Sequence, residues 1–187
     1  MNTDTYFVTV EKSDVLRADA NEGVDETWQF KKISIQDKSG KWVEIGGAQS
    51  PLMYRHGDQK SRNILCMYMF TDKADFEFDS RNLDFGDTAV IITDLKEFLR
   101  RFKLAADNIG KRLWHGPIQY VDKSYYHGQM GPFRKFSDYE YQSEFRFVLF
   151  GESGAPSLSM KFSIGDIRDI ARTVPSSLLP EFPKPVS

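Results

Sequence analysis

The sequence lacks most of the features from which a function can be assigned directly. It has a single cysteine, Cys66, which excludes an internal disulfide bond and a cysteine-rich zinc site. Its three histidines, His56, His115 and His127, form no metal-binding motif such as H-E-x-x-H, so no metal site is predicted. The sequence also has no phosphate-binding loop, no dinucleotide-binding glycine fingerprint and no G-x-S-x-G pattern. Metal, nucleotide and serine hydrolase chemistry therefore has no sequence motif to support it.

Long apolar runs and an excess of one charge are also missing. No stretch approaches the ~20 apolar residues that a membrane helix needs, and the polar residues 1–5 do not resemble a signal peptide. The formal net charge is -2 without a long basic run, whereas a nucleic-acid-binding protein depends on a basic face. We therefore expect a soluble, cytoplasmic protein that binds neither membranes nor nucleic acid.

What the chain does contain favours a β-rich fold with one long helix. It has 15 Phe and 8 Tyr, residue types that pack well on pleated sheets. Segment 94–110 predicts an amphipathic helix, because Asp94 and Glu97 form a capping box and apolar residues recur at helical spacing. We predict a single α+β domain over residues 1–174, mainly antiparallel sheet, with this helix and a short C-terminal helix at 165–172. A proline-rich tail, residues 175–187, is expected to be extended or frayed.

Alternating and apolar runs predict the positions of the strands. These are residues 6–10, 28–35, 42–45, 64–70, 88–93, 117–122, 143–150 and 158–163. The turn at 37–40 should join two strands in a hairpin, strand 64–70 should be central, and strand 88–93 should be buried. Segment 158–163 should pair with 143–150. Residues 48–61 and 125–132 should be exposed loops, and the length of the first suggests a binding role.

Charged residues inside strand 143–150 make it the first place to look for function. Side chains alternate along a strand, so Phe145 and Phe147 should face the core while Gln142, Glu144 and Arg146 share the other face. A carboxylate there could hold a ribose hydroxyl or stabilise a cationic transition state. Alternatively, Glu144 and Arg146 pair with each other or with neighbouring strands as an ionic ladder.

The Gln142-x-Glu144 pattern resembles the third signature of mono-ADP-ribosyltransferases. In that family a glutamate contacts the nicotinamide-side ribose of NAD. The resemblance implies that Glu144 is a catalytic carboxylate with Gln142 beside it, and that NAD is the cofactor. It further implies that Tyr68 holds the middle-strand position and that Arg17 and Arg146 contribute to the cofactor pocket.

A looser resemblance covers most of the chain and points to a set of uncharacterised bacterial and phage proteins. Its marks include R-x-D-x-x-E-G at residues 17–23, G-D-x-A-x-x-I at 86–92, and F-x-K followed by Y-x-x-Q-x-E-F-R within 133–146. This resemblance implies no particular activity.

Two functional hypotheses follow. The transferase family's first-strand residue has no match here, because Arg17 lies in a polar segment and no histidine precedes it. This departure favours a non-catalytic protein without a cofactor, for instance a phage or mobile-element protein that engages and inhibits a bacterial defence or host complex. Its candidate partner-binding residues, in the two predicted loops, are Tyr54, Arg55, Asp58, Tyr126 and His127. The alternative is an ADP-ribosyltransferase-like enzyme that uses NAD.

Overall fold

The structure is a computed structural model that describes residues 1–3, 19, 21–56, 60–71, 76–153 and 159–182 of the chain. The predicted strand 6–10 and the candidate residues Arg17 and Asp58 lie outside these ranges.

The described elements are mostly short strands around one long helix. Numbered in chain order, the strands are β1 (Asn2–Thr3), β2 (Glu26–Trp28), β3 (Ser34–Gln36), β4 (Trp42–Glu44), β5 (Leu52–Tyr54), β6 (Lys60–Tyr68), β7 (Thr88–Ile92), β8 (Leu113–Pro117), β9 (Gln119–Val121), β10 (Gly128–Gln129), β11 (Arg134–Phe136), β12 (Glu144–Ser153) and β13 (Ala171–Pro175). The α-helix is α1 (Leu95–Asn108), and 3₁₀ helices cover Ser80–Phe85, Gly131–Phe133, Ser137–Gln142 and Ser176–Glu181.

The main sheet is antiparallel and has the strand order β1-β6-β12-β8. Its interior strands, β6 and β12, are the two longest of the described strands, and each contains an apolar run, as expected for strands that are paired on both edges. The predicted α+β fold, with mainly antiparallel pairing and one long helix, is confirmed.

Helix α1 covers one face of this sheet. Asp94 accepts a hydrogen bond from the backbone N–H of Glu97 at 2.9 Å, which confirms the predicted N-terminal cap. Phe98 and Phe102 of the helix pack against the ring of Phe147, whose centroid lies 4.7 Å from that of Phe102. The apolar stripe of the helix and the apolar face of β12 therefore form one core. Among the described residues, no helix combines the length and apolar character needed to cross a bilayer.

The smaller sheets have the orders β10-β2-β5, β11-β9, β13-β7 and β3-β4. The hairpin predicted across the turn 37–40 is confirmed: β3 pairs with β4, and Gly40 closes the turn with a positive φ of 85°. A second core, formed by Val24, Val121, Met130 and Phe136, lies between the strands of these small sheets.

Several predicted strands differ from the structure. The segment 28–35 is split between β2 and β3, because the backbone N–H of Gln29 donates to His127 Nδ1 instead of to a neighbouring strand. The side-chain amide of Gln29 donates to the carbonyls of Lys123 and Tyr126. The predicted loops 48–61 and 125–132 contain β5 and β10, which pair with opposite edges of β2. Strand β7 is partly exposed rather than buried, since it pairs only with β13 among the described strands.

The C-terminal predictions need correction as well. The expected hairpin partner of β12 is wrong, because β6 and β8 already occupy both edges of that strand, and residues 159–163 are not in a strand. The short C-terminal helix is Ser176–Glu181 rather than 165–172, where a turn leads into β13. Residues 176–181 are therefore helical instead of extended.

Candidate functional site

The chain turns sharply just before β12. We expected strand geometry from Ser143 onward, but Gln142 ends a 3₁₀ helix and Ser143 has the left-handed φ of 39°. The Ser143 hydroxyl donates to the Met69 carbonyl at 2.7 Å, which holds this turn on the end of β6. Gln142 and Glu144 therefore do not share a face by strand alternation, and the prediction was wrong on that point. Both side chains nevertheless meet at Lys135.

A buried charge cluster lies at the start of β12. We define it as the five charged side chains Asp19, Glu22, Lys135, Glu144 and Arg146, all of which are less than 9 % exposed. The ammonium of Lys135 donates to Glu144 Oε1 at 2.6 Å and to Gln142 Oε1 at 2.8 Å. Its distance to Asp19 Oδ2 is 3.5 Å.

Arg146 connects this cluster to the N-terminal part of the chain. Its two terminal nitrogens donate to the two carboxylate oxygens of Glu22 at 2.9 and 2.7 Å, a bidentate pair that spans 124 residues of sequence. Its Nε donates to Glu144 Oε2 at 2.8 Å, and Nη1 also donates to the Pro132 carbonyl at 2.9 Å. The ionic pairing of Glu144 with Arg146, one of the two expected alternatives, is therefore present, but it is buried rather than exposed.

The surroundings shift the pKa values of two of the three carboxyl groups, Glu144 and Asp19, in opposite directions. Burial alone would raise the pKa of Glu144, but Arg146 and Lys135 attract the carboxylate and bring it down to about 2. For Asp19 burial dominates over the attraction of Lys135, so its pKa is raised above the ordinary value. The pKa of Lys135 is raised, because Glu144 overcomes the effect of burial. At neutral pH Glu144 is thus a firmly ionised partner of two cations.

A cavity of about 510 Å³ opens beside the charge cluster. Tyr68 lies directly opposite Glu144 in the register of β6 and β12, and both line this cavity. The structure therefore brings together four of the residues that the transferase resemblance singled out: Tyr68, Gln142, Glu144 and Arg146.

Three residues of the cluster were not predicted as site residues. Asp19 and Glu22 belong to the R-x-D-x-x-E-G pattern, whose polar segment predicts solvated loop charges, and Lys135 belongs to the F-x-K pattern. That prediction was wrong for Asp19 and Glu22, because both are buried. The structure shows that these patterns and Q-x-E-F-R meet at one place. The spacing within each pattern does not indicate that these residues contact one another, because the contact depends on how the small sheets pack.

The candidate partner-binding residues that the structure describes, Tyr54, Arg55, Tyr126 and His127, lie around the β10-β2-β5 sheet instead. Tyr126 donates its hydroxyl to the Gln129 carbonyl at 2.6 Å, and His127 Nδ1 accepts from the backbone N–H of Gln29 at 3.1 Å. Arg55 donates to the Glu22 carbonyl at 3.2 Å and so contacts the segment that holds the charge cluster. All three residues therefore contact other parts of the protein, and the exposed Tyr54 packs against the rings of Trp28 and His56.

The outer side of this sheet carries an aromatic surface. We use the name aromatic face for Glu26, Trp28, Leu52, Tyr54 and His56. Thr27 and Met53, the alternate residues of β2 and β5, point to the protein interior. Trp28 and Tyr54 are 43 % and 44 % exposed and stack with their ring centroids 6.1 Å apart.

Polar contacts hold the rings of the aromatic face in place. The His56 ring meets Tyr54 edge-on at 4.8 Å, and the indole N–H of Trp28 donates to Glu26 at 2.9 Å. His56 Nε2 also lies 3.5 Å from the other Glu26 oxygen. These contacts hold the exposed rings in defined orientations.

No metal centre is evident in the part of the chain that the structure describes, where no group of three or more His, Cys, Asp or Glu side chains is placed to hold an ion. Comparisons with protein family models, curated proteins and solved structures gave no match.

Proposed function

We propose that this protein is a non-catalytic module that binds a protein partner through the aromatic face. The observation that carries the proposal is the exposed, stacked Trp28–Tyr54 pair on a sheet whose other side is buried. Trp and Tyr are the residue types that most often dominate the binding energy of protein interfaces. Rings fixed by Glu26 and His56 lose little conformational freedom on binding, which favours affinity.

The hairpin β3-β4 carries further exposed apolar side chains. It is inserted in the chain between β2 and β5, the two strands that carry the exposed rings. Its exposed large apolar side chains are Ile35, Trp42, Val43 and Ile45. Groups of exposed large apolar side chains commonly mark an interaction site. Together with the resemblance to bacterial and phage proteins, this feature makes a bacterial host or defence complex the partner to test first.

Glu144 is poorly suited to the catalytic role in the alternative hypothesis. Lys135 and Arg146 each occupy one of its carboxylate oxygens, and the side chain is buried. A carboxylate that stabilises a cationic transition state must be free to face that charge. The pairing with two protein cations weakens its field at the substrate.

A specific observation still keeps an NAD-dependent activity as the second candidate. Tyr68 and Glu144 face each other across adjacent strands and line one cavity, as the transferase resemblance would require. Titration of the protein with NAD, repeated with Glu144→Gln, separates the two functions. Saturable NAD binding would favour the enzyme, and absence of binding at millimolar NAD would exclude it.

The protein-binding proposal is tested with a matched pair of variants. Immobilised wild-type protein, the double variant Trp28→Ala/Tyr54→Ala, and Trp114→Ala would each be incubated with bacterial lysate. Trp114 is a comparably exposed tryptophan on β8, outside the aromatic face, and serves as the control. We expect the wild type and Trp114→Ala to retain the same protein, and the double variant to lose at least roughly tenfold in affinity for it.

Thermal unfolding of all three forms would show that the substitutions leave the fold intact. Hydrogen exchange of the complex should then show protection at residues 26–28 and 52–54. Equal retention by the double variant, or no specifically retained protein, would contradict the proposal.

A further inference from the structure

The cavity beside the charge cluster has an apolar side and a polar side. Its large apolar and aromatic lining residues are Leu65, Met67, Phe78, Phe85 and Leu179. The rings of Tyr68 and Phe78 lie 5.2 Å apart on this apolar side, and we call this pair the aromatic wall. The polar side is formed by the charge cluster together with Asn82. Its volume of about 510 Å³ is that of a pocket for a small organic molecule.

The two cationic side chains that line the cavity, Lys135 and Arg146, are already paired with carboxylates of the protein. Lys135 is bonded to Glu144, and Arg146 is bonded to both Glu22 and Glu144. With Asp19, the cluster has three carboxylates for two cations. A phosphate or carboxylate ligand would have to displace one of these ion pairs, so the cavity disfavours anions.

Among the described residues, in contrast, the cavity has hydrogen-bond acceptors that lack a donor. Asp19 Oδ1 accepts from the Asn21 N–H at 2.9 Å, but Oδ2 is 3.5 Å from Lys135, beyond normal hydrogen-bond length. Asn82 uses its amide nitrogen to donate to the carbonyls of Asp79 and Tyr141. Neither its oxygen nor the Tyr68 hydroxyl has a hydrogen-bond partner among the described residues.

We propose that this cavity binds a small organic cation, with an amidine, guanidinium or primary ammonium group against Asp19 and a flat apolar body against the aromatic wall. Such a ligand supplies the donors that the spare acceptors lack and balances the third carboxylate of the cluster. The Tyr68 and Phe78 rings add a cation–π and apolar surface. The site is separate from the aromatic face, so this inference does not depend on the proposed protein partner.

The pH dependence of binding supplies an internal check. Among the described residues, the charged groups that act on Asp19 are Lys135 on β11, Arg146 on β12 and Glu22 on its own segment. Glu144 on β12 pairs with the same Lys135. The pKa of Asp19 is raised in the free protein, mainly by burial, and a bound cation would lower it again. Affinity for a permanently cationic ligand should therefore rise with pH through the free protein's Asp19 pKa and then level off.

Benzamidine is a suitable probe, with benzamide and benzoate as its neutral and anionic counterparts. Calorimetric titration of the full chain should show saturable binding of benzamidine and neither of the others. Asp19→Asn should weaken benzamidine at least about tenfold, as expected for loss of a charged hydrogen bond. Asp37→Asn, at an exposed turn, should leave binding unchanged.

A second variant covers the case in which Asp19→Asn does not fold. Ala89 lines the cavity on β7, so Ala89→Phe should fill the space and abolish binding while the charge cluster stays intact. Absence of benzamidine binding to the wild type, equal binding of benzoate, or undiminished binding by Ala89→Phe would overturn the proposal.

Discussion

Arg146 is only 1 % exposed and yet fully charged, so its stability depends on its partners. Taking a guanidinium out of water costs several kcal/mol, which only well-placed opposite charges offset. Glu22 and Glu144 provide them with three hydrogen bonds of 2.7 to 2.9 Å, and the Pro132 carbonyl accepts a fourth. The pairing stabilises Arg146 and both carboxylates together. Removal of any one of the three leaves a buried charge without its partner.

Arg146→Met should therefore strongly destabilise the fold. The change leaves Glu22 unpaired and Glu144 with Lys135 alone, and we expect a loss of about 3–5 kcal/mol in the free energy of unfolding. Arg168→Met is the control, because Arg168 pairs with Asp166 at the surface, where solvent screens the pair, and its loss should change stability little. Urea unfolding measures both. Similar losses for the two variants would contradict a buried role for Arg146.

The two buried acids predict opposite responses to isosteric substitution. Glu144 has a folded pKa of about 2, below its unfolded value, so its stabilising contribution is present above the unfolded pKa and is lost as pH falls toward 2. Asp19 has a raised folded pKa, so ionising it opposes folding as pH rises through that value.

At pH 7, Glu144→Gln should therefore lose roughly 2–3 kcal/mol, while Asp19→Asn should be neutral or slightly stabilising. The loss in Glu144→Gln should shrink as the pH is lowered from 5 toward 2. Thermal unfolding across this pH range measures the stability of both variants. A larger loss of stability for Asp19→Asn than for Glu144→Gln would contradict the directions given for the two pKa shifts.

At the scale of elements, α1 shows local sequence and tertiary packing acting together. The stripe with Phe98 and Phe102 is buried, and the Asp94 carboxylate caps the first turn. Asp94→Ala should cost about 1 kcal/mol of stability, because it removes the acceptor for the Glu97 N–H. Asp107→Ala is the matched control in the last turn, where an acid pairs only with exposed Lys103 and opposes the helix dipole. Equal losses in thermal unfolding would mean that the cap contributes nothing specific.

β12 divides the molecule into two chemical environments. Phe145 and Phe147 face α1, whereas Glu144 and Arg146 face the cluster and the cavity. The alternation of a single strand thus places an apolar core and an ionic core back to back. A one-residue shift in register would exchange them, so both faces specify the register of β12 against β6.

At the scale of the whole molecule, the charge cluster ties the segment around Glu22 to the main sheet. Glu22→Gln should weaken its pairing with Arg146 and speed hydrogen exchange at Val24, whose N–H donates to the Asn21 carbonyl. Exchange in the middle of α1 should be unchanged, because the helix packs on the opposite face of the sheet. Glu26→Gln, on the aromatic face, is the control. Unchanged exchange at Val24 would show that other contacts hold this segment.

The elements that could be predicted from sequence are those that depend on residues close together in the chain. The cap and apolar spacing located α1, the turn at 37–40 located the β3-β4 hairpin, and the apolar runs located the interior strands β6 and β12. Predictions failed where a contact distant in sequence decides the structure. Strand β2 ends before Gln29, whose backbone N–H donates to His127, 98 residues away. Both edges of β12 are occupied by β6 and β8, so residues 159–163 do not pair there.

The same division applies to the candidate site. By itself the sequence determined that charge lies within an apolar strand at Glu144 and Arg146, because alternation of side chains along a strand is a local property. The tertiary structure alone decided which charges meet there. Burial of a charge is tolerable only when opposite charges arrive with it, and Glu22 and Lys135 come from separate segments that only folding brings to β12.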